Sequence, residues 1–216
     1  MSYWNNPKPV RRARAIALDH LSHEAVALLD EGGVPALTIR SLAGRIGVAP
    51  PSLYSRIRSV DDILDLAVDH ALGQDRHVWQ STDELCPRSL LLLFYDHLLR
   101  HPWSAQVIGL RAPRGPEYLR FSDRFLQLLV ERSIKDPLTV AYAMSNFVIG
   151  CAVTATSASD DPSSPVDRCI APTYAQLHVD YAEDPRTIVD AGLRALISMT
   201  TKAPSQTSAV SQTRPS

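Results

Sequence analysis

Thr38, Arg40, Pro51, Ser52, Tyr54, Ser55, Arg56 and Arg58 lie close together, with no Asp or Glu between the first and the last. Hydroxyls, a phenol and guanidiniums in one short acid-free stretch are donors. They suit phosphate oxygens and the acceptor edge of guanine. Other chemistries find less support. His97 and His101 stand four apart, a spacing that on a helix could hold a metal, but no nearby cysteine or HExxH supplies further ligands. The sequence has no GxSxG, no Ser-x-x-Lys nucleophile setting and no Gly-rich phosphate loop. It is therefore read as a binding protein rather than an enzyme, with no metal and no cofactor. The competing class is a small-molecule-binding or enzymatic helical protein whose N-terminal helices do not meet DNA.

Charge distribution agrees with a phosphate partner. The 216 residues carry a net charge of −1, but residues 1–60 hold eight Lys/Arg against four Asp/Glu, leaving 14 against 19 for the remainder. A basic head on an acidic body suits an N-terminus that meets nucleic acid, although chance asymmetry gives the same count. Cys86, Cys151 and Cys169 are scattered, without a CxxC pair or a disulfide framework, as in a reducing cytoplasm. No run approaches 18 consecutive apolar residues and the N-terminus lacks a clean apolar signal segment, so neither a membrane span nor a secretory leader is expected.

The patterning that must position these groups is helical almost throughout, with no alternating strand run. A first helix is expected from about Arg12 to Glu31, closed by Gly32-Gly33. Thr38 can cap a helix over Ile39–Ile46, and Gly47 supplies the positive φ of a tight turn. Pro50 and Pro51 fit the first turn of a helix ending near Ile57. Ser59 can cap a helix to about Trp79, with Asp61 and Asp62 in its first turn. Further helices are expected from Pro87 to His101, to about Arg111, to about Ser133, from Asp136-Pro137 to Ala158, over 171–181, and from Asp184-Pro185 to Thr201. Residues 111–116 and 159–167 read as loops, and the Ser/Thr/Pro/Gln-rich residues 203–216 as a disordered tail.

Residues 38–57, TIRSLAGRIGVAPPSLYSRI, have the internal logic of a helix-turn-helix. Ala43 is small where two crossing backbones approach, Gly47 makes the turn, and Leu42, Ile46, Val48, Leu53 and Ile57 form the seam. Pro51, Ser52, Tyr54, Ser55 and Arg56 are then left on or near the exposed side, where a recognition helix meets base edges. A hairpin of this kind can also serve packing alone.

The stretch LLDEGGVPALTIRSLAGRIGVAPPSLYSRIRSVDDIL (28–64) resembles the tetracycline-repressor (TetR) family in its LT-x-R-x-LA, GV and LY elements. That resemblance implies an all-α fold, a homodimer, a palindromic DNA operator and repression released by a small-molecule effector. It implies phosphate contacts for Thr38 and Tyr54 and base reading for Arg40. The chain departs from the family at Ile57, where an aromatic is usual, and at Val60, where a phosphate-binding lysine is usual; Arg56 and Arg58 are the candidates to replace it. The organisation expected is a DNA-binding domain over 10–60 and an effector-binding and dimerisation domain over 61–202.

The body is less specific. RGPEYLRFSDRFLQLL (114–129) and AYAMSNFVIGCAV (141–153) resemble the C-terminal domain of the tetracycline-repressor subgroup. Ile108 and Ala112 stand where polar ligands for magnesium–tetracycline would be expected, so neither is predicted here. His101, Trp103, Tyr118, Phe121, Phe125, Tyr142 and Asn146 are the candidate effector contacts, with ordinary core packing as the alternative. Asn146, in an apolar helix, needs a partner in a pocket or an interface. The small residues Gly150, Ala152 and Ala155 would let another helix approach, which favours the last two long helices as the dimer contact.

Overall fold

A computed structural model describes residues 3–5, 17–79, 85–158, 167–178 and 184–201. The expected tail and most of the 159–167 loop lie outside them, as do the first residues expected in the opening helix. The described elements are helical: α1 (Leu18–Ala36), α2 (Ile39–Ile46), α3 (Pro50–Leu53), α4 (Val60–Gln74), α5 (Arg76–Trp79), α6 (Pro87–Arg100), α7 (Pro102–Leu110), α8 (Pro116–Glu131), α9 (Pro137–Ala158), α10 (Pro172–His178) and α11 (Pro185–Thr201). A 3-10 turn at Tyr3–Asn5 packs on α4.

Two cores form. In the first, Leu21, Ala25 and Leu29 recur every four residues along α1 and meet Leu42 and Ala43 of α2, Leu53, Ile57, and Ile63 and Ala67 of α4. Each fully buried Leu or Ile contributes roughly 1.5–3 kcal/mol. Trp103 and Val107 of α7 also belong to this core, so the body reaches into the N-terminal domain. In the second, Phe94, Tyr95 and Leu98 of α6 pack with Phe121, Phe125 and Leu129 of α8, Met144 and Val148 of α9, and Val189 and Leu193 of α11.

Local chemistry placed several boundaries where expected. Helical geometry in α1 breaks at Gly32 and Gly33, the latter at φ 65°. Thr38 caps α2, Gly47 closes it at φ 75°, and Pro50 opens α3. Two expectations are corrected. The helix expected to reach Ile57 is α-helical only to Leu53; Tyr54, Ser55 and Arg56 then donate to the carbonyls three residues back. The helix expected to reach Trp79 breaks at Asp75. Its carbonyl accepts from Val78 and Trp79 and its carboxylate from His77 N at 3.0 Å, so Asp75 starts a new helix. By length and composition alone, α9 contains a 19-residue segment, Pro137–Ala155, apolar enough to cross a membrane, although it holds no unbroken apolar run of that length. It packs on α6, α7, α8 and α11 and leaves Leu138, Tyr142 and Val153 exposed.

Candidate nucleic-acid interface and effector cavity

Thr38 and Ser41 form a reciprocal cap: Ser41 N donates to Thr38 Oγ1 at 2.9 Å, and Thr38 N to Ser41 Oγ at 2.9 Å. This fixes the entry into α2 and holds the Thr38 hydroxyl at the surface. Arg40, one residue into α2, is exposed and has no ion pair among the described residues. Arg45 on the same helix is different. It bonds Glu24 at 2.9 Å and both Glu31 oxygens at 2.6 Å, which ties α2 to α1 and takes its charge out of the basic head.

Pro51, Ser52, Tyr54, Ser55 and Arg58 are exposed around α3. Ser55 Oγ donates to Ser52 O at 2.7 Å, and Arg58 N to Asp62 Oδ2 at 2.8 Å, which ties the chain entering α4 back onto its first turn. Ser59 occupies the cap position of α4 but makes no side-chain cap bond. Arg56 corrects the expectation of an exposed contact: it is only 9% exposed. The reason is the winding after Leu53. With bonds three residues back, positions 53 and 56 eclipse, so Arg56 follows buried Leu53 inward. Its positive charge there lies close enough to act on Tyr3.

The body holds a cavity of about 490 Å³ between α7, α8, α9 and the loop joining α7 to α8. Tyr118, Phe121, Phe125, Tyr142 and Asn146, all expected contacts, line it. Asn146 is exposed on this face rather than sealed in a core. Burial pushes the Tyr118 phenol up to about 12, so it stays protonated and able to donate.

His101 and Trp103 do not line the cavity. Asp30 of α1 takes both: His101 Nδ1 lies 2.8 Å from Asp30 Oδ1, and Trp103 Nε1 donates to the same oxygen at 2.7 Å. They join the body to the N-terminal core. His97 is also buried, with Nδ1 2.8 Å from Asp75 Oδ2; because a carboxylate only accepts, that nitrogen carries the proton. Arg100 donates to the same oxygen at 2.6 Å. Burial alone would push the Asp75 carboxyl up, but His97 and Arg100 hold it well below the usual carboxylate range.

Sequence reasoning missed Arg111 and Arg114, which enter the cavity wall from the loop. Arg111 Nη1 lies 2.5 Å from Asp61 Oδ2, and its Nε lies 3.2 Å from Asp65 Oδ1. The available signal was two guanidiniums in a short loop with no acid beside them. One turn further along α4, Asp69 Oδ1 accepts from Glu117 N at 2.9 Å and Tyr118 N at 3.0 Å, capping α8 from another helix.

Residues 79–182 match the family model described as the tetracyclin repressor-like C-terminal domain. An HTH-type transcriptional regulator of Saccharopolyspora erythraea is 34% identical over 154 residues, covering 68% of this chain; the chain spans 64% of that relative's length. The class D tetracycline repressor protein of Escherichia coli is 29% identical over 189 residues, covering 80% of this chain and 84% of the repressor. Among solved structures, the Streptomyces coelicolor TetR family protein ActR, in complex with actinorhodin, shares the fold with a TM-score of 0.70. It is 21% identical, with 86% of this chain and 97% of that one covered. The helix-turn-helix at the N-terminus, the matched C-terminal domain and these likenesses agree: the chain belongs to the TetR (tetracycline-repressor-like) family.

Proposed function

We propose that the protein is a homodimeric transcriptional repressor that acts in the cytoplasm and leaves a palindromic operator when a small molecule occupies its body. Residues 10–60 read DNA in this scheme, and residues 61–202 bind the effector and dimerise. Thr38, Arg40, Pro51, Ser52, Tyr54, Ser55 and Arg58 are its DNA contacts; Arg56 instead braces the turn beneath them. The observation that carries the reading is the exposed basic and hydroxylic face of α2 and α3, joined through α4 to a cavity in the body. Each protomer offers one such face, and two faces a helical turn or more apart match two half-sites. On α9, exposed Val153, which does not line the cavity, and the exposed small residue Gly150 support a dimer contact there. An effector can shift the operator-competent population only by binding one dimer shape better than the other. ActR, with its bound actinorhodin, supports an organic ligand as the effector class.

The test is fluorescence anisotropy of the protein on a duplex from its own upstream region, across salt concentrations. Several phosphate contacts predict a steep slope, about 0.9 per neutralised phosphate. Arg58→Ala lowers that slope by about 1 per protomer. A slope no steeper than that of a random duplex, with equal affinity, refutes the reading.

A further inference from the structure

The cavity wall has an uneven charge inventory. It includes two guanidiniums, Arg111 and Arg114, and no carboxylate, imidazole or thiol. The uncharged part of the wall combines the rings of Phe121, Phe125 and Tyr142 with hydroxyls and the Asn146 amide. A cationic guest would find no carboxylate in the wall, because the nearest two, Asp61 and Asp65, lie behind it and are taken by Arg111. A metal-chelated guest would lack donors, and among the described residues no three His, Cys, Asp or Glu converge on a common point. An apolar guest would fill the aromatic part and leave the charge unused.

The two arginines differ in engagement. Arg114 is exposed at the mouth and has no hydrogen bond or ion pair among the described residues. Arg111 is held by two carboxylates of α4, at Asp61 and Asp65. Asp61 is 60% exposed, so that half of the grip is solvent-screened and open to competition. Asp65 is buried and also accepts from Tyr3 N at 2.8 Å, so it keeps a donor if Arg111 leaves.

We propose, building on the effector reading above, that the cavity takes an aromatic or polycyclic ligand bearing an acidic group, which pairs with Arg114 and competes with Asp61 and Asp65 for Arg111. The consequence is mechanical. Helix α4 carries the helix-turn-helix at its N-terminal end and is tied to the body at three heights. Arg111 holds Asp61 and Asp65, the α8 N-terminus holds Asp69, and His97 with Arg100 holds Asp75. An anion that draws off Arg111 frees only the first tie, the one nearest DNA. By linkage, operator binding, which keeps Arg111 on α4, lowers affinity for the acid by the same factor.

The probes are 8-anilinonaphthalene-1-sulfonate and its uncharged counterpart N-phenyl-1-naphthylamine, which have the same rings. Both are titrated by fluorescence into the full chain. The sulfonate binds about tenfold more tightly, equivalent to about 1.4 kcal/mol. Arg114→Gln brings the two within about twofold of each other, and Arg114→Lys keeps most of the difference. Asp61→Asn, which releases half of the grip on Arg111, raises sulfonate affinity a few-fold and leaves the neutral probe unchanged. Ser145→Phe fills the cavity and weakens both. Equal affinity for the two probes overturns the inference. So does a sulfonate preference indifferent to Arg114→Gln and Asp61→Asn, binding that survives Ser145→Phe, or binding of neither probe. Operator binding is followed in parallel. If it is salt-steep while the probes show no arginine dependence, the acid inference falls and the regulator reading stands. If the probes behave as stated but the duplex is not bound, the reverse holds.

Discussion

Gly115→Ala is a sharp test of how α8 is held. The backbone at Gly115, φ −67° and ψ 152°, suits alanine, and elsewhere such a change stabilises by roughly 0.4–1 kcal/mol through the unfolded chain. Here the added Cβ would lie 2.0 Å from Asp69 Oδ1, 2.2 Å from its Cγ and 2.6 Å from its Cβ. The whole side chain is in the way, so rotation of the carboxylate cannot relieve the clash. Asp69 must leave, and the α8 N-terminus loses both of its bonds to that oxygen. Losing a cap costs about 1 kcal/mol, and overpacking adds roughly 1–3. The net expectation is about 2–3 kcal/mol of destabilisation. In a chain of this length that lowers Tm by roughly 5–10 °C. Asp69→Ala removes the same cap without the clash and costs about 1–2 kcal/mol, reduced because burial already pushes that carboxyl up. Since both variants lose one shared contact, the double variant costs about as much as Gly115→Ala alone. Urea unfolding at one fixed protomer concentration reads all three, because association would otherwise shift the midpoints. Additive losses, or a Gly115→Ala protein as stable as the parent, would refute the cap.

Gly47→Ala meets no atom within 4 Å, so its cost is backbone strain at φ 75°, about 1–2 kcal/mol by urea titration; Gly47→Asn recovers a good part of it. The Asp75–His97 pair makes stability pH-dependent in a defined direction. Burial pushes the His97 imidazole down despite its bond to Asp75, so the unfolded chain binds the proton first and stability falls as pH drops through about 6.5. A second loss follows below about 4, where the unfolded Asp75 carboxyl is protonated before the folded one. The His97→Gln urea midpoint should vary less than the parent's between pH 7 and 5, on the order of that single site; parallel curves would refute it.

What could be read from the sequence was what local chemistry decides. Thr38, Gly47 and Pro50 carry their roles in residue type alone, and those boundaries follow. The shared face of Phe121 and Phe125 on α8, both in the cavity lining, was legible from helical spacing. What escaped depends on partners far along the chain. Asp75 breaks a helix whose partners His97 and Arg100 are 22 and 25 residues away. Arg56 turns inward through a change of winding that no propensity marks. His101 and Trp103 were assigned to the cavity from composition, but Asp30, more than 70 residues earlier, claims both.

The placement of the aspartates on α4 bears on modularity. Asp61, Asp62, Asp65, Asp69 and, at its end, Asp75 engage pieces spread over the molecule: Asp61 and Asp65 share Arg111, Asp62 takes the Arg58 amide, Asp65 also takes Tyr3, Asp69 the start of α8, and Asp75 α6. The seam between the two halves is therefore a line running the length of this helix, and no single peptide bond within it separates them. A chimaera that grafts a different DNA-reading head onto this body inherits a working joint only if it keeps the helix from Asp61 to Asp75 with the body. The new head must then match the apolar side of that helix at Ile63, Ala67 and Ala71, and offer an acceptor where Asp30 meets His101 and Trp103. Recombination just before α4 replaces a head; recombination inside it leaves carboxylates facing strangers.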